Sequence, residues 1–155
     1  HRPSLDQPRD LWLVDGSLRD AYIQGANLQD WASLLRIARG YTYHYSRDGV
    51  TMPLPEADAI FADREHSHLL RIESGNVKVH CHFFVPEEIE LDIDPKEVSS
   101  SSEHLAVLEL LEQLSTATGK DALITAENSP GVVLLRFESG IKRWHVHEPP
   151  GAGEA

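Results

Sequence analysis

The chain has a single cysteine and no apolar run near the roughly 20 residues that a membrane-crossing helix requires. Cys81 alone excludes an intramolecular disulfide and is compatible with a reducing compartment. Cations are scarce: 14 Lys and Arg stand against 25 Asp and Glu, a net charge of −11, which argues against nucleic acid as a partner. Several chemical signatures are missing as well. There is no Gly-x-Gly-x-x-Gly fingerprint and no Gly-x-Ser-x-Gly elbow. Ser115–Lys120 ends like a phosphate loop, yet it lacks the first glycine and closes a helix instead of opening one. No repeat recurs at solenoid or propeller periods. The N-terminus HRPSLDQPRD has neither a charged-then-apolar signal pattern nor a cleavage site, so a cytoplasmic protein without membrane contact or cofactor is expected. A first residue of His rather than Met fits a processed or truncated chain.

What is present fits one folded unit. At 155 residues and 41% hydrophobic content, the chain predicts a single α+β domain over residues 11–147, with disordered ends at 1–10 and 148–155. Its centre is the stretch from Leu69 to Asp94, a three-strand antiparallel meander. Gly75-Asn76 reads as a two-residue hairpin loop, setting Ile72 opposite Val79, Leu70 opposite Cys81, Arg71 opposite His80 and Glu73 opposite Lys78. Val77, Val79, Cys81 and Phe83 alternate inward, as do Ile89, Leu91 and Ile93. A three-residue loop, Val85-Pro86-Glu87, then places Lys78 with Asp94, His80 with Asp92 and His82 with Glu90. A slip of one residue would turn an apolar set to water.

Around this meander, Leu11–Val14 and Leu18–Ile23 have strand composition. Asn27 caps a helix from Leu28 to about Arg39, whose Leu28, Trp31, Leu34, Leu35 and Ala38 form an apolar stripe. Tyr41, Tyr43 and Tyr45 alternate along a strand closed by Asp48-Gly49; they are a recognition row or, more simply, core packing. Pro55 opens a short helix holding Ile60 and Phe61. Ser100 and Glu103 form a capping box for a second long helix, ended at Gly119. Ala122–Thr125 and Val132–Phe137 are strands, and a Ser139-Gly140 turn would return the chain so that Leu135 meets Trp144 and Arg136 meets Arg143, an unfavourable pair. The two long helices are expected to pack on one face of a mostly antiparallel sheet.

The chemistry concentrates on the acidic stretch. Nine acidic residues against Lys96 lie between Pro86 and Glu112, and Glu87, Glu88, Glu90, Asp92, Asp94 and Glu97 are the candidate contacts for a basic protein partner, or else a solvated face. His80 and His82 with Asp92 have the composition of a metal or catalytic site, the alternative reading. Geometry weakens it, because Cys81 points the other way and Arg71 and Lys78 share the histidine face, so no bound metal is expected. Cys81 among Leu70, Val79 and Phe83 reads as a buried, inert thiol. A third class, an oligomerising module, would use an exposed edge strand.

Asp15–Asp20, the His82-Phe83-Phe84 run, Ile89–Pro95 and Ala126–Pro130 together resemble a group of small stand-alone bacterial proteins without assigned activity, over most of residues 11–137. That resemblance carries no catalytic residue. Such proteins are similar in size and acidity to toxin-neutralising immunity proteins, which implies a non-enzymatic inhibitor as the expected type.

Overall fold

The computed structural model describes residues 1–148. Its strands are β1 (Arg19–Gln24), β2 (Thr42–Arg47), β3 (Val50–Thr51), β4 (His68–Ser74), β5 (Val77–Val85), β6 (Glu88–Ile93), β7 (Ala122–Ala126), β8 (Ser129–Glu138) and β9 (Arg143–Val146). Helices α1 (Leu28–Ala38), α2 (Ala57–Ala62) and α3 (Ser101–Thr118) intervene, and a 3-10 turn spans Pro95–Glu97. The α+β class holds, with the sheet dominant: all nine strands join one sheet in the order β3-β2-β4-β5-β6-β1-β7-β8-β9. Every neighbouring pair is antiparallel.

The meander has the register that alternation demands. Ile72 meets Val79, Leu70 meets Cys81 and Arg71 meets His80, while His80 meets Asp92 and His82 meets Glu90. Gly75 sits at φ +60°, as a two-residue loop of this kind requires. Two details differ from expectation. The second loop is two residues, Pro86-Glu87, because Val85 pairs with Glu88, and the surplus residue becomes a bulge between His82 and Val85. The loop carbonyls are taken up by other elements, Glu87 O by Ala26 N–H at 2.8 Å and Pro86 O by Trp31 Nε1–H at 2.8 Å. Lys78 also does not pair with Asp94; its backbone N–H donates to Glu97 Oε1 at 2.8 Å.

The sheet's apolar side is continuous. Leu70, Ile72, Val79, Cys81, Ile89, Leu91, Ile93, Ala21, Ile23, Ile124 and Leu135 are all buried. Asn27 Oδ1 accepts from Asp30 N–H, and Asp30 Oδ2 accepts from Asn27 N–H, a reciprocal cap that starts α1. Trp31 is fully buried and meets Phe61 and Phe83 with ring centroids 4.9 and 5.1 Å apart, joining α1, α2 and β5. It is a core anchor. Tyr45 is buried too, whereas Tyr43 nearer the sheet edge is partly exposed. In α3, Ser100 accepts from Glu103 N–H, but Glu103 reaches back to Ser99 N–H rather than Ser100, so the box is displaced by one residue. Gly119 ends the helix at φ +70°.

Four other expectations need correction. Residues 1–10 are packed, not disordered: Pro3 and Pro8 are buried, and Arg2 lies 2.9 Å from Glu112. Leu11–Val14 forms turns rather than a strand, because the buried Arg19 guanidinium draws the carbonyls of Asp10, Leu11 and Leu13 around itself. The short helix starts at Ala57, with Glu56 at its N-cap and Pro55 outside it. In the last hairpin the loop is the four residues 139–142, with Lys142 at φ +51°. Arg136 therefore meets His145 and Arg143 meets Glu138, which removes the like-charge opposition that a shorter loop would impose. Of the expected disordered tail, 148–155, only Glu148 lies within the described residues.

Candidate functional site

The polar face of the sheet is built from residues that alternate with the core. On β6 these are Glu88, Glu90 and Asp92; on β5, His80 and His82; and β1, lying beside β6, adds Asp20 opposite Asp92 and Tyr22 opposite Glu90. Asp92 is the hub. His82 Nε2–H donates to its Oδ2 at 2.6 Å, and His80 Nδ1 stands 3.5 Å from its Oδ1. Burial works against the charged carboxylate, yet the two imidazoles outweigh it and hold the Asp92 pKa down to about 2. The bond to Asp92 in turn raises the His82 pKa above its ordinary value.

The neighbouring carboxylates are under opposite pressure. Asp20 is 3% exposed and accepts from Asn128 N–H at 2.8 Å and the Tyr22 hydroxyl at 3.1 Å. Burial nonetheless raises its pKa, and Asp92 and Glu127 add to the rise. Glu90 is raised by burial first and by the Asp20 charge next. Negative charge is thus crowded at the β6–β1 seam.

The bulge in β5 shapes the rim of this face. Phe84 is 62% exposed and stacks on the His82 ring with centroids 5.1 Å apart and planes 5° from parallel. Beside it, a cavity of about 270 Å³ is lined by Asp63, Arg64, His66, His68, His82 and Phe84, among others. His68 hydrogen-bonds Tyr45, and His66 Nδ1 lies 2.6 Å from Asp48 Oδ2, so these rings are already engaged.

The structure therefore divides the six expected acidic contacts. Glu88, Glu90 and Asp92 share the polar face, and Glu87 is exposed in the turn at its end. Asp94 caps the 3-10 turn by accepting Lys96 N–H at 3.0 Å, and Glu97 holds Lys78 N–H. The helical carboxylates of the same stretch stand apart from the seam. Helix α3 is tied to β4, where Ser74 Oγ–H donates to Ala106 O, and Glu112 is held by Arg2 and by Trp144 Nε1–H at 2.7 Å. Asp20, Tyr22 and Glu127 are members that local sequence reading could not supply; only the placement of β1 between β6 and β7 brings them in.

Chemically, His82 with Asp92 is an imidazole oriented by a carboxylate, the arrangement of a general base. Among the described residues no hydroxyl or thiol hydrogen-bonds to His82, and Cys81 is fully buried on the other face, its thiol pKa pushed up by burial. Nor do any three His, Cys, Asp or Glu side chains among the described residues converge as a metal ion requires. No helix among them is long and apolar enough to cross a membrane. No protein-family model matches the chain, and neither does any curated protein or solved structure.

Proposed function

We propose that the protein is a non-enzymatic bacterial binding protein that engages a basic protein partner through the acidic seam of Glu88, Glu90 and Asp92, with the buried Asp20 adding its charge from beneath, in the manner of an immunity-type inhibitor. The crowding at the seam carries this reading: Asp20 and Glu90 are both held in charge-unfavourable surroundings, which a docked cation would relieve. We infer that α1 and α3, which contact each other, lie together over the apolar side of the sheet and leave the seam's side to the partner. Glu87 stands at the rim of this surface, while Asp94 and Glu97 serve backbone hydrogen bonds. The reading places the protein in the cytoplasm, where Cys81 stays reduced.

The test is association with a candidate partner, most reasonably the product of a neighbouring gene, measured over a range of salt. The double variant Glu88→Gln/Glu90→Gln should slow association on the order of tenfold at low salt while leaving the fold intact. An unchanged rate without salt dependence would reduce the seam to a solvated surface.

A second reading has its own observation. The His82–Asp92 contact beside the cavity suits a small enzyme or metal-binding domain that uses His80, His82 and Asp92. Stoichiometric zinc retained through chelator-free purification and lost in His82→Ala would favour it over the first.

A further inference from the structure

The cavity beside the β5 bulge has a character that the acidic seam lacks. Its apolar part is aromatic: Phe61 and Phe83 meet edge to face with centroids 5.9 Å apart, and Phe84 lies on His82 with the rest of its ring open to solvent. Its polar part is rich in nitrogen. Arg64 and His66 stand on the loop of residues 63–67 that joins α2 to β4, and His68 and His82 follow from the strands. Asp48 holds this loop in shape. Its N–H donates to Ser67 O at 2.8 Å, its Oδ1 accepts Ser67 N–H at 2.7 Å, and its Oδ2 lies 2.6 Å from His66 Nδ1.

Two of the nitrogen groups are left over. Arg64 is exposed and makes neither an ion pair nor a side-chain hydrogen bond among the described residues, although Asp63 precedes it; that carboxylate is shared by His68 Nε2 at 3.4 Å and Arg47 at 3.8 Å. His66 has its second nitrogen, Nε2, 4.0 Å from Asp63 Oδ1, beyond hydrogen-bond reach. His68 is not among them, since its nitrogens are engaged by the Tyr45 hydroxyl and by Asp63 O. A free guanidinium beside aromatic rings suits a planar acid: the nitrogen fork takes both carboxylate oxygens, and the phenylalanines cover the ligand's ring. Charge narrows the choice. Asp63 lines the same cavity and Asp48 adjoins it, so a monoanion is tolerated where a phosphate dianion meets repulsion. A volume of about 270 Å³ lies just under the range of drug-sized clefts and admits one ring with its acid group. We propose that this cavity binds a small aromatic carboxylate, its ring against Phe61, Phe83 and Phe84 and its carboxylate on Arg64 and the protonated His66. The site stands apart from the acidic-seam reading, to which none of these five residues belongs.

The experiment titrates the intact protein with four probes, benzoate, benzamide, cyclohexanecarboxylate and phenyl phosphate, and follows the phenylalanine and histidine ring resonances. Benzoate should saturate a single site with a Kd on the order of 1 mM and shift the rings of Phe84 and His66, while the other three should each bind about tenfold more weakly. Arg64→Gln should weaken benzoate about tenfold with an unchanged melting temperature, as befits an exposed side chain; Arg64→Lys, which keeps the charge and loses the fork, should fall between. Phe84→Leu should erase the preference for benzoate over cyclohexanecarboxylate. Benzoate that fails to saturate, or that binds Arg64→Gln as it binds the unmodified protein, overturns the site. Tighter binding of phenyl phosphate would make it a phosphate site, equal binding of benzamide would leave a hollow without anion recognition, and equal binding of cyclohexanecarboxylate would remove the aromatic selection; each of these also overturns the proposal. None of them touches the seam reading, whose test is a protein partner and salt.

Discussion

Asp92 and His82 hold each other in their charged forms, and the pH window of that pairing follows from the direction of each shift. Asp92 is depressed to about 2, so its contribution is present above its unfolded value and is lost as pH falls toward 2. His82 is raised, so its contribution is complete below its unfolded value and is lost as pH rises through its folded value. The pair is therefore strongest in mildly acidic solution, between about pH 4 and 6. Asp92→Asn should cost about 1–2 kcal/mol there, and the gap between the two proteins, read from denaturant midpoints, should narrow toward pH 2 and again as pH rises through the raised His82 value. Arg19 is the other side chain with an outsized role. Its guanidinium donates to the carbonyls of Asp10, Leu11, Leu13 and Leu18, so Arg19→Met leaves several acceptors unpaired and should destabilise by about 2–4 kcal/mol. A midpoint shift below the equivalent of about 0.5 kcal/mol would show that water satisfies those carbonyls equally well.

Among the elements, the N-terminal segment is tied down by the buried His104 on α3. Trp12 Nε1–H donates to its Nδ1 at 3.0 Å, and its Nε2–H donates to Pro3 O at 2.9 Å, so the ring is neutral. Burial lowers its pKa below the ordinary value. The unfolded chain therefore takes up a proton first, and the tie is secure above about pH 6.5 and weakens as pH falls below it. Protease cleavage near residues 1–12 should rise on acidification, and His104→Gln should abolish that dependence. At the Asp48-Gly49 turn, Asp48 and Gly49 have φ +49° and +80°, so Gly49→Ala should cost about 1 kcal/mol without altering the strands it joins.

The same elements show what a linear reading can reach. The β4–β6 register was legible because alternation and a Gly-Asn loop constrain each other within a few residues. The N-terminal tie was not: its prolines and polar residues read as disorder, and the partners that order them, His104 and Glu112, lie about a hundred residues away. The last hairpin failed through loop length alone, since a two-residue turn and a four-residue loop keep the same faces and differ only in who sits opposite whom. Within the site, the His80, His82 and Asp92 neighbourhood was readable from local pairing. Asp20 was not, because its membership depends on a sheet order that no local pattern encodes.

At the scale of the whole molecule, a charge of −11 is unevenly borne, and the seam is where it works against the fold. Glu90 has its pKa raised by burial and by Asp20, so it favours the native state more when protonated than when charged. Glu90→Gln should therefore raise the melting temperature at neutral pH by a few degrees, on the order of 0.5–1 kcal/mol, and added salt should shrink the difference by screening. A lower melting temperature for the variant would mean that the carboxylate is welcome where it stands.

The first strand of the chain is the hinge between its two halves: β1 is bordered by β6, closing at Ile93, and by β7, closing at Ala126. Of the nine strands it is the first to emerge during synthesis, while the strands that border it are made only at residues 88–93 and 122–126. The β2–β6 hairpins can assemble from near neighbours, but their β6 edge stays open until β1 is drawn back across them, and the β7–β9 hairpins have nothing to dock on before that. A chain released before residue 122 would fold with one flank of β1 bare, a template for joining another such chain edge to edge. The central position of this short segment thus makes the order of emergence, and not only the final contacts, a condition of leaving neither flank of β1 bare while the protein is made.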